Sequence, residues 1–211
     1  MVIYLHGFAS SSHSGKATFF AQRLRDAGVP FEAPDLNLPD FSTLTVTRML
    51  DQTGALIERA GGPVTLMGSS LGGYVAVNGA ARWPERVKNV VLMAPALDFS
   101  AHGLSGPGGA DLGEWKRSGS LNIFHFGYGR MMPIHYELYE DARRYDAMKA
   151  DVPMPVLIFQ GLRDTACKPD TARRWAEIRR NVDLHLLEDD HQLAASLEYM
   201  WRKVQAFLGL P

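Results

Sequence analysis

A serine, an aspartate and a histidine each follow an apolar run, at the point where a buried strand is predicted to end. Ser70 lies in GSSLG (68–72), Asp164 in GLRD (161–164) and His191 in DDHQL (189–193). A serine hydroxyl is a weak nucleophile and needs a base within hydrogen-bond reach. A histidine can take the proton, and a carboxylate can hold its tautomer and stabilise its charge. These residues in this order predict acyl transfer through an acyl-serine, with Ser70 as nucleophile, His191 as base and Asp164 as acid.

The spacing of the glycines distinguishes between the two adjacent serines. A G-x-S-x-G motif between a strand and a helix makes a tight turn, in which side chains two residues from the nucleophile would clash. Ser70 has Gly68 and Gly72 at those positions, whereas Ser69 would have a methionine and a leucine there. Ser70 is therefore the predicted nucleophile and Ser69 its structural neighbour.

Two backbone amides are candidates for binding the developing oxyanion. One is the N–H of Leu71, the residue after the nucleophile. The other should come from the loop after the first predicted strand, LHGFASSS (5–12), where the N–H of Phe8 follows His6 and Gly7. We interpret His6 as a structural residue that holds this loop.

Other aspartates compete with Asp164 for the acid role. Asp189 and Asp190 adjoin His191, but adjacency along a chain does not aim a carboxylate at the imidazole. Asp98 follows the fourth predicted strand and is an alternative position. Strand-end geometry favours Asp164.

The sequence does not favour metal binding, nucleotide binding or a cysteine nucleophile. HLLEDDH (185–191) suggests metal ligands, but it falls where the base is expected, so we predict neither metal nor cofactor. A phosphate loop would need a glycine where Ser10 stands and a Ser or Thr where Ala17 follows Lys16, so nucleotide binding is rejected. We interpret Cys167 as a packed loop residue, because Ser70 already supplies the nucleophile.

The composition sets the broad class. The 211 residues fit one domain, residues 1–211, with 46% hydrophobic and 21% charged residues and a net charge of −1. This balance predicts no nucleic-acid partner, and no apolar run approaches the ~20 residues that span a bilayer. The single cysteine and the N-terminus without a signal peptide predict a cytoplasmic protein.

Short apolar runs alternate with helix-length periodic segments. Strands are predicted at 2–5, 29–34, 63–67, 87–97, 155–161 and 182–188, and helices at 15–28, 44–62, 71–83, 171–180 and 192–208. Strands separated by helices predict a parallel sheet covered on both faces. In such a sheet the carboxyl ends of the strands, which carry the three candidate residues, share the edge where ligands bind.

Residues 98–150 interrupt the alternation, with no clear strand for the sheet. A connection of ~50 residues is more often functional, such as a lid. Residues 102–115 are Gly-rich and predicted to be mobile, whereas the later part of 131–148 looks helical. The segment's aromatic and methionine side chains could form an apolar acyl pocket or could simply fix the cap to the core.

The motifs YLHGFASS, GSSLGGY, GLRD and DDHQL resemble the α/β-hydrolase superfamily in order and spacing, and are most similar to the small YqiA/YcfP-like bacterial esterases. The resemblance implies a three-layer α/β-hydrolase fold with a cap insertion at 98–150. The two strands that usually precede the HG loop are absent, so the sheet should be minimal. It also implies ester or thioester hydrolysis without a cofactor, with a small-molecule ester as substrate. A serine aminopeptidase and a catalytically silent binding module stay open as alternatives, and the oligomeric state is undetermined.

Overall fold

A computed structural model, which describes residues 1–104 and 111–211, contains a six-stranded central sheet. The strands within these ranges are β1 (Val2–Leu5), β2 (Phe31–Glu32), β3 (Val64–Ser69), β4 (Val87–Met93), β5 (Ser120–His125), β6 (Arg130–His135), β7 (Val156–Gly161) and β8 (Val182–Leu187). The sheet has the order β2-β1-β3-β4-β7-β8, and all five neighbouring pairs are parallel. The predicted parallel α/β sheet is therefore confirmed.

Helices cover both faces of this sheet. They are α1 (Gly15–Asp26), α2 (Val46–Arg59), α3 (Leu71–Arg82), α4 (Phe99–His102), α5 (Leu112–Ser118), α6 (Glu137–Ala142), α7 (Pro169–Glu177) and α8 (Leu197–Leu208). Side chains of α1 and α8 pack on one face, and those of α2, α3 and α7 pack on the other. Within the described ranges, no helix is long and apolar enough to cross a bilayer.

The strands are apolar on both faces because each face contributes to a core. In β1, Val2 and Tyr4 join the cluster under α1 and α8, whereas Ile3 and Leu5 join the larger cluster on the opposite face. Successive side chains of a strand point to opposite faces, so an unbroken apolar run fills both layers. This packing holds the carboxyl ends of the strands at one edge.

The last helix begins later than predicted. Residues 192–196 were expected to be helical, but α8 begins at Leu197 after a 3₁₀ turn. Leu193 adopts a left-handed φ of 54° and is fully buried. That conformation cannot continue an α-helix, and the resulting loop carries His191 away from the helix.

Residues 98–150 contain a hairpin that the sequence analysis did not predict. Strands β5 and β6 pair antiparallel as a sheet of their own, while α6 matches the predicted helical part. The apolar pattern in these strands is weak, and Pro133 lies within β6, where proline is unusual because it has no N–H to donate. Residues 105–110 of the Gly-rich stretch lie outside the described residues, so the expected mobility stays a prediction.

His125 anchors the turn of this hairpin to the rest of the molecule. Its buried ring stacks on Tyr128 with centroids 4.0 Å apart and meets the edge of Phe41 at 4.5 Å. The Tyr128 N–H donates to Nδ1 at 3.1 Å, while Nε2 is buried without a partner among the described atoms. Burial, with the nearby His6 adding to it, lowers the pKa of His125. The hairpin is therefore held by a histidine whose charged form is disfavoured.

This arrangement predicts a pH-dependent loss of stability. An unfolded histidine titrates near pH 6.5, and folded His125 titrates lower, so the unfolded chain binds the extra proton as pH falls through 6.5. We expect the urea midpoint of unfolding to be lower at pH 5.5 than at pH 7.5. The decrease should be smaller in His125→Phe, which keeps an aromatic ring. His13→Gln, at an exposed position, is the control and should retain the full decrease. An equal decrease in wild type and His125→Phe would contradict this role.

Candidate active site

Ser70 occupies a strained turn between β3 and α3. Its φ of 52° and ψ of −118° lie outside the helical and extended regions. Such a conformation costs about 1–3 kcal/mol and persists only where the surroundings impose it. The turn places Ser70 beyond the carboxyl end of the strand, where the side chain lines a cavity.

Close backbone contacts explain the glycines around this turn. A Cβ on Gly72 would lie 2.0 Å from the carbonyl oxygen of Leu5, and one on Gly68 would lie 2.3 Å from the carbonyl oxygen of Gly72. Both distances are far shorter than real Cβ contacts. The spacing that selects Ser70 in the sequence therefore reflects how closely α3 approaches β1 and β3.

His191 and Asp164 meet at the same edge of the sheet. His191 Nδ1 lies 2.8 Å from Asp164 Oδ2. The loop after β7 presents Asp164, and the loop after β8 presents His191. The His191 side chain is one-quarter exposed and lines the cavity with Ser70, whereas the Asp164 side chain is fully buried. The structure thus brings the three predicted residues to one place.

The buried carboxylate of Asp164 is held by four hydrogen bonds. Oδ1 accepts from the backbone N–H groups of Ala166 at 2.9 Å and Cys167 at 2.8 Å. Oδ2 accepts from Gln160 Nε2 at 3.0 Å as well as bonding His191. A buried charge needs such partners to offset its lost hydration. They also fix the direction in which the carboxylate faces the imidazole.

The competing aspartates bond elsewhere. Asp98 Oδ2 accepts from Thr171 Oγ1 at 3.1 Å. Asp189 accepts from Ser196 Oγ at 2.8 Å and from the N–H of Asp190. Burial alone would raise the pKa of Asp189, but these hydrogen bonds outweigh it and lower the pKa. Asp190 accepts from the backbone N–H of Gln192 at 2.8 Å, so these carboxylates shape the loop around His191.

Gln160 and Cys167 both donate hydrogen bonds to the carboxylate of Asp164. Gln160 is fully buried, and its Nε2 also donates to the Cys167 carbonyl at 2.9 Å, which ties the Asp164 loop to the end of β7. This role is not evident from the sequence, because Gln160 is a single polar residue near the end of an apolar strand. Burial raises the pKa of the Cys167 thiol, Asp164 adds to the rise, and Ser70 opposes it. The thiol is therefore held neutral, consistent with a packed residue.

The loop after β1 lies directly against Ser70. A Cβ on Gly7 would lie 3.3 Å from Ser70 Cβ. His6 holds this loop, since its Nδ1 lies 2.9 Å from the Gly7 carbonyl and its Nε2 accepts from the N–H of Leu36 at 3.0 Å. Phe8 lines the cavity, and the N–H of Leu71 opens α3, where no carbonyl of the helix can accept it. Phe8 therefore lines the same cavity as Ser70, and Leu71 directly follows Ser70.

The cavity above Ser70 has a volume of about 640 Å³. Its lining includes Ser70 and His191, the polar residues Tyr4, Ser10, Ser11, His13, Ser14, Lys16, Ser69 and Gln192, and the apolar residues Phe8, Phe126, Ala194 and Leu197. Among the described residues of this lining, Lys16 is the only lysine or arginine, and none is an aspartate or glutamate. The wall is thus polar, with one side chain that can carry a positive charge.

Lys16 and Tyr4 are lining residues that the sequence analysis did not place here. Lys16 Nζ donates to the Gln192 carbonyl at 2.8 Å. Burial lowers the pKa of Lys16 to about 8, although Asp164 partly opposes the shift. Burial raises the pKa of Tyr4 to about 12. A lysine shortly after a strand on the binding edge was a usable signal for Lys16, whereas Tyr4 looked like an ordinary core residue.

Asp164, Cys167 and His191 also place potential metal-ligand atoms within 4.8 Å of one another. The fit is poor, because both oxygens of Asp164 already accept hydrogen bonds, two from backbone N–H groups and two from Gln160 and His191. The cluster is better explained by the hydrogen bond between His191 and Asp164.

Most large side chains of the 98–150 segment fix it to the core. Trp115 is buried and donates to the Ile134 carbonyl at 3.0 Å, and Tyr139 donates to the Ala101 carbonyl at 3.1 Å. Phe126 alone among the segment's described aromatic residues lines the cavity. Of the two alternatives left by the sequence, the contacts therefore favour anchoring over a broad apolar acyl pocket.

The parallel six-stranded sheet, the strained serine turn after its third strand and the strand-end histidine and aspartate together define an α/β-hydrolase fold. The chain belongs to the uncharacterised protein family UPF0227, whose sequence profile matches residues 1–209. This membership confirms the resemblance to YqiA-like proteins.

A curated relative and three solved structures extend the comparison. The chain is 27% identical over 177 residues to the mouse protein named palmitoyl-protein thioesterase ABHD10, mitochondrial, a match of 77% of this chain and 58% of that protein. The structure of mouse ABHD10 has a TM-score of 0.81 at 21% identity, covering 99% of this chain and 89% of that chain. Est1E from Butyrivibrio proteoclasticus, with bound ferulic acid, has a TM-score of 0.85 at 19% identity, covering 98% and 87%. The monoacylglycerol lipase of Paleococcus ferrophilus has a TM-score of 0.76 at 18% identity, covering 98% and 93%. These structures establish the shared fold.

Proposed function

We propose that this protein is a serine hydrolase that cleaves carboxylic esters or thioesters through an acyl-serine. One observation carries the proposal: Ser70 and His191 line the same cavity, and the far side of the imidazole bonds the buried carboxylate of Asp164 at 2.8 Å. A nucleophile, a base and a residue that orients the base are the parts that acyl transfer needs.

In the proposed reaction, Ser70 Oγ attacks the substrate carbonyl carbon while His191 Nε2 takes the hydroxyl proton. The Nδ1–H of His191 donates to Asp164, which stabilises the imidazolium. The N–H groups of Phe8 and Leu71 donate to the oxyanion, an interaction whose removal typically costs about 2.7–4 kcal/mol. His191 then protonates the leaving group as its bond to the carbonyl carbon breaks. A water, deprotonated by His191, attacks the acyl-serine, and His191 returns the proton to Ser70 Oγ as the acyl bond breaks and the acid leaves.

Thioesters are retained as substrates because the curated relative is named a thioesterase, and its similarity extends over 77% of this chain. The chain spans only 58% of that relative's length. We therefore do not assign the acyl substrate of that relative to this protein. Est1E and the lipase, by their names, support ester cleavage within the fold. A silent binding module is less favoured, because a binding site has no need for a strained serine beside a carboxylate-oriented histidine. A serine aminopeptidase would use the same residues and differs from an esterase only in its substrates.

We also propose that residues 98–150 act as a cap over the site. The turn between β5 and β6 packs on the loop after β1, where the N–H of Gly127 donates to the Ala9 carbonyl at 3.2 Å. A Cβ on Gly127 would lie 3.0 Å from backbone atoms of Ser10. With Phe126, this turn forms part of the cavity wall, so it restricts which substrates reach Ser70.

Labelling with a fluorophosphonate probe, read by intact mass, tests the proposal. Ser70 Oγ should displace fluoride and form a phosphonyl-serine, which adds one probe mass per chain. The same protein should hydrolyse p-nitrophenyl acetate or butyrate, and parallel acyl-CoA assays would test thioesters. The adduct should persist in Cys167→Ala and be absent in Ser70→Ala. A folded protein with neither adduct nor turnover would favour the silent binding module.

A further inference from the structure

One side of the cavity forms a polar pocket between the start of α1 and the loop that carries His191. We call it the polar side pocket and define it by Tyr4, Ser14, Lys16 and Gln192, all of which line the cavity. Ser14 caps α1, and Lys16 lies in the first turn of that helix. The pocket is continuous with the space above Ser70.

Lys16 gives the polar side pocket a positive charge. An ammonium has three N–H donors, and the bond to the Gln192 carbonyl uses one of them. With a pKa of about 8, the side chain is charged in most molecules at pH 7. The nearby Asp164 side chain is fully buried, is held by its own hydrogen bonds and does not line the cavity. A ligand in the pocket therefore meets a cation and no carboxylate among the described lining residues.

The Tyr4 hydroxyl is a second feature that points to a ligand. Tyr4 is 1% exposed, and its hydroxyl completes no hydrogen bond of good geometry with the described residues. Ser14 and Ser69 lie close enough to oppose the rise in its pKa, but neither satisfies the hydroxyl. Burying an unsatisfied hydroxyl is unfavourable, so a bound group that accepts a hydrogen bond from Tyr4 would recover this loss.

The position of the pocket relates it to one half of the substrate. Gln192 follows His191, and in the proposed reaction His191 gives its proton to the leaving group. We propose that the polar side pocket binds an anionic group, a carboxylate or a phosphate, carried on the leaving group of the ester. This inference rests on the proposed ester hydrolysis and adds a substrate class to it.

Two matched esters test the inference. 4-Acetoxybenzoate carries a carboxylate on its leaving group, whereas 4-acetoxybenzamide has the same shape without the charge. The readout is the kcat/KM value for 4-acetoxybenzoate divided by that for 4-acetoxybenzamide, both at pH 7. General damage to the site lowers both values and leaves this ratio unchanged. Lys16→Met should lower this ratio about tenfold, since hydrogen bonds to charged groups are among the stronger ones, and Lys16→Arg should retain most of it. Inhibition of 4-acetoxybenzamide hydrolysis by 4-hydroxybenzoate and by phenyl phosphate then compares the binding of a carboxylate with that of a phosphate.

Two further variants separate ligand binding from structural effects. Tyr4→Phe should lower the ratio about threefold without lowering the thermal midpoint. Lys88→Met, at an exposed position in β4, should leave the ratio unchanged. A ratio that is the same in wild type and Lys16→Met would overturn the inference. Ser70-dependent hydrolysis of the neutral ester would still support the proposed function in that case, so the two failures are distinguishable.

Discussion

Replacing Ser70 with alanine is expected to reduce kcat/KM for p-nitrophenyl acetate by about 10⁴-fold or more while the protein stays folded. Removing the nucleophile of such a triad removes the covalent route, and what remains comes from oxyanion binding and substrate binding alone. The measurement is initial-rate kinetics, with circular dichroism and a urea titration to show that the fold is retained. Serine and alanine both carry a Cβ, so the strain at the φ of 52° is the same for both residues. The substitution should therefore not lower stability.

Ser69→Ala is the matched control for this prediction. Ser69 is buried, ends β3 and stands one residue before the nucleophile. If the glycine spacing assigns the nucleophile correctly, this variant should lose less than tenfold in kcat/KM. The opposite ranking, with Ser69→Ala inactive and Ser70→Ala active, would refute the assignment and the mechanism built on it.

Replacing Gly72 with alanine is expected to destabilise the protein by more than about 4 kcal/mol, a loss found only for severe structural defects. The added Cβ would lie 2.0 Å from the carbonyl oxygen of Leu5 and 2.5 Å from its carbonyl carbon. These are backbone atoms of β1, so the overlap can be relieved only by separating α3 from the sheet. Because whole domains are stable by only about 5–15 kcal/mol, we expect a greatly lowered urea midpoint or insoluble protein.

Gly79→Ala in the same helix is the control for this prediction. Its Cβ would lie 3.3 Å from Leu66 Cδ1, the end of a flexible side chain. Alanine also favours helix by about 1 kcal/mol relative to glycine, so the net change should stay within about 1 kcal/mol. Equal destabilisation by both substitutions would mean that the contact with β1 is not what requires glycine at position 72.

The central sheet and the nucleophile turn could be predicted because their signals are local. Strands β1, β3 and β7 are short, fully buried stretches that alternate with helical segments, and all six strands of the sheet pair parallel to their neighbours as expected. The glycines at 68 and 72 lie within two residues of Ser70, and the contacts that require them come from the turn itself and the adjacent strand. The constraint on Gly68 is local, and although the one on Gly72 comes from Leu5 of β1, both appear in the sequence as the glycine spacing around Ser70.

The hairpin at 120–135 could not be predicted in the same way. Its strands lie outside the main sheet and are stabilised by contacts with distant loops, such as the packing of His125 on Phe41. Short strands with a weak apolar alternation carry little signal of their own, because their stability depends on tertiary packing.

The sequence by itself determined the fold class, the glycine spacing that points to Ser70 and the preference for Asp164 as the partner of His191. Only the tertiary structure decided that this carboxylate, 27 residues away, lies 2.8 Å from the imidazole and that the other candidate aspartates bond elsewhere. It likewise placed Lys16 against the carbonyl of Gln192, 176 residues further along the chain. The physical reason is that turns and strands follow from neighbouring residues, whereas the contents of a cavity depend on how separate loops converge at one edge of the sheet.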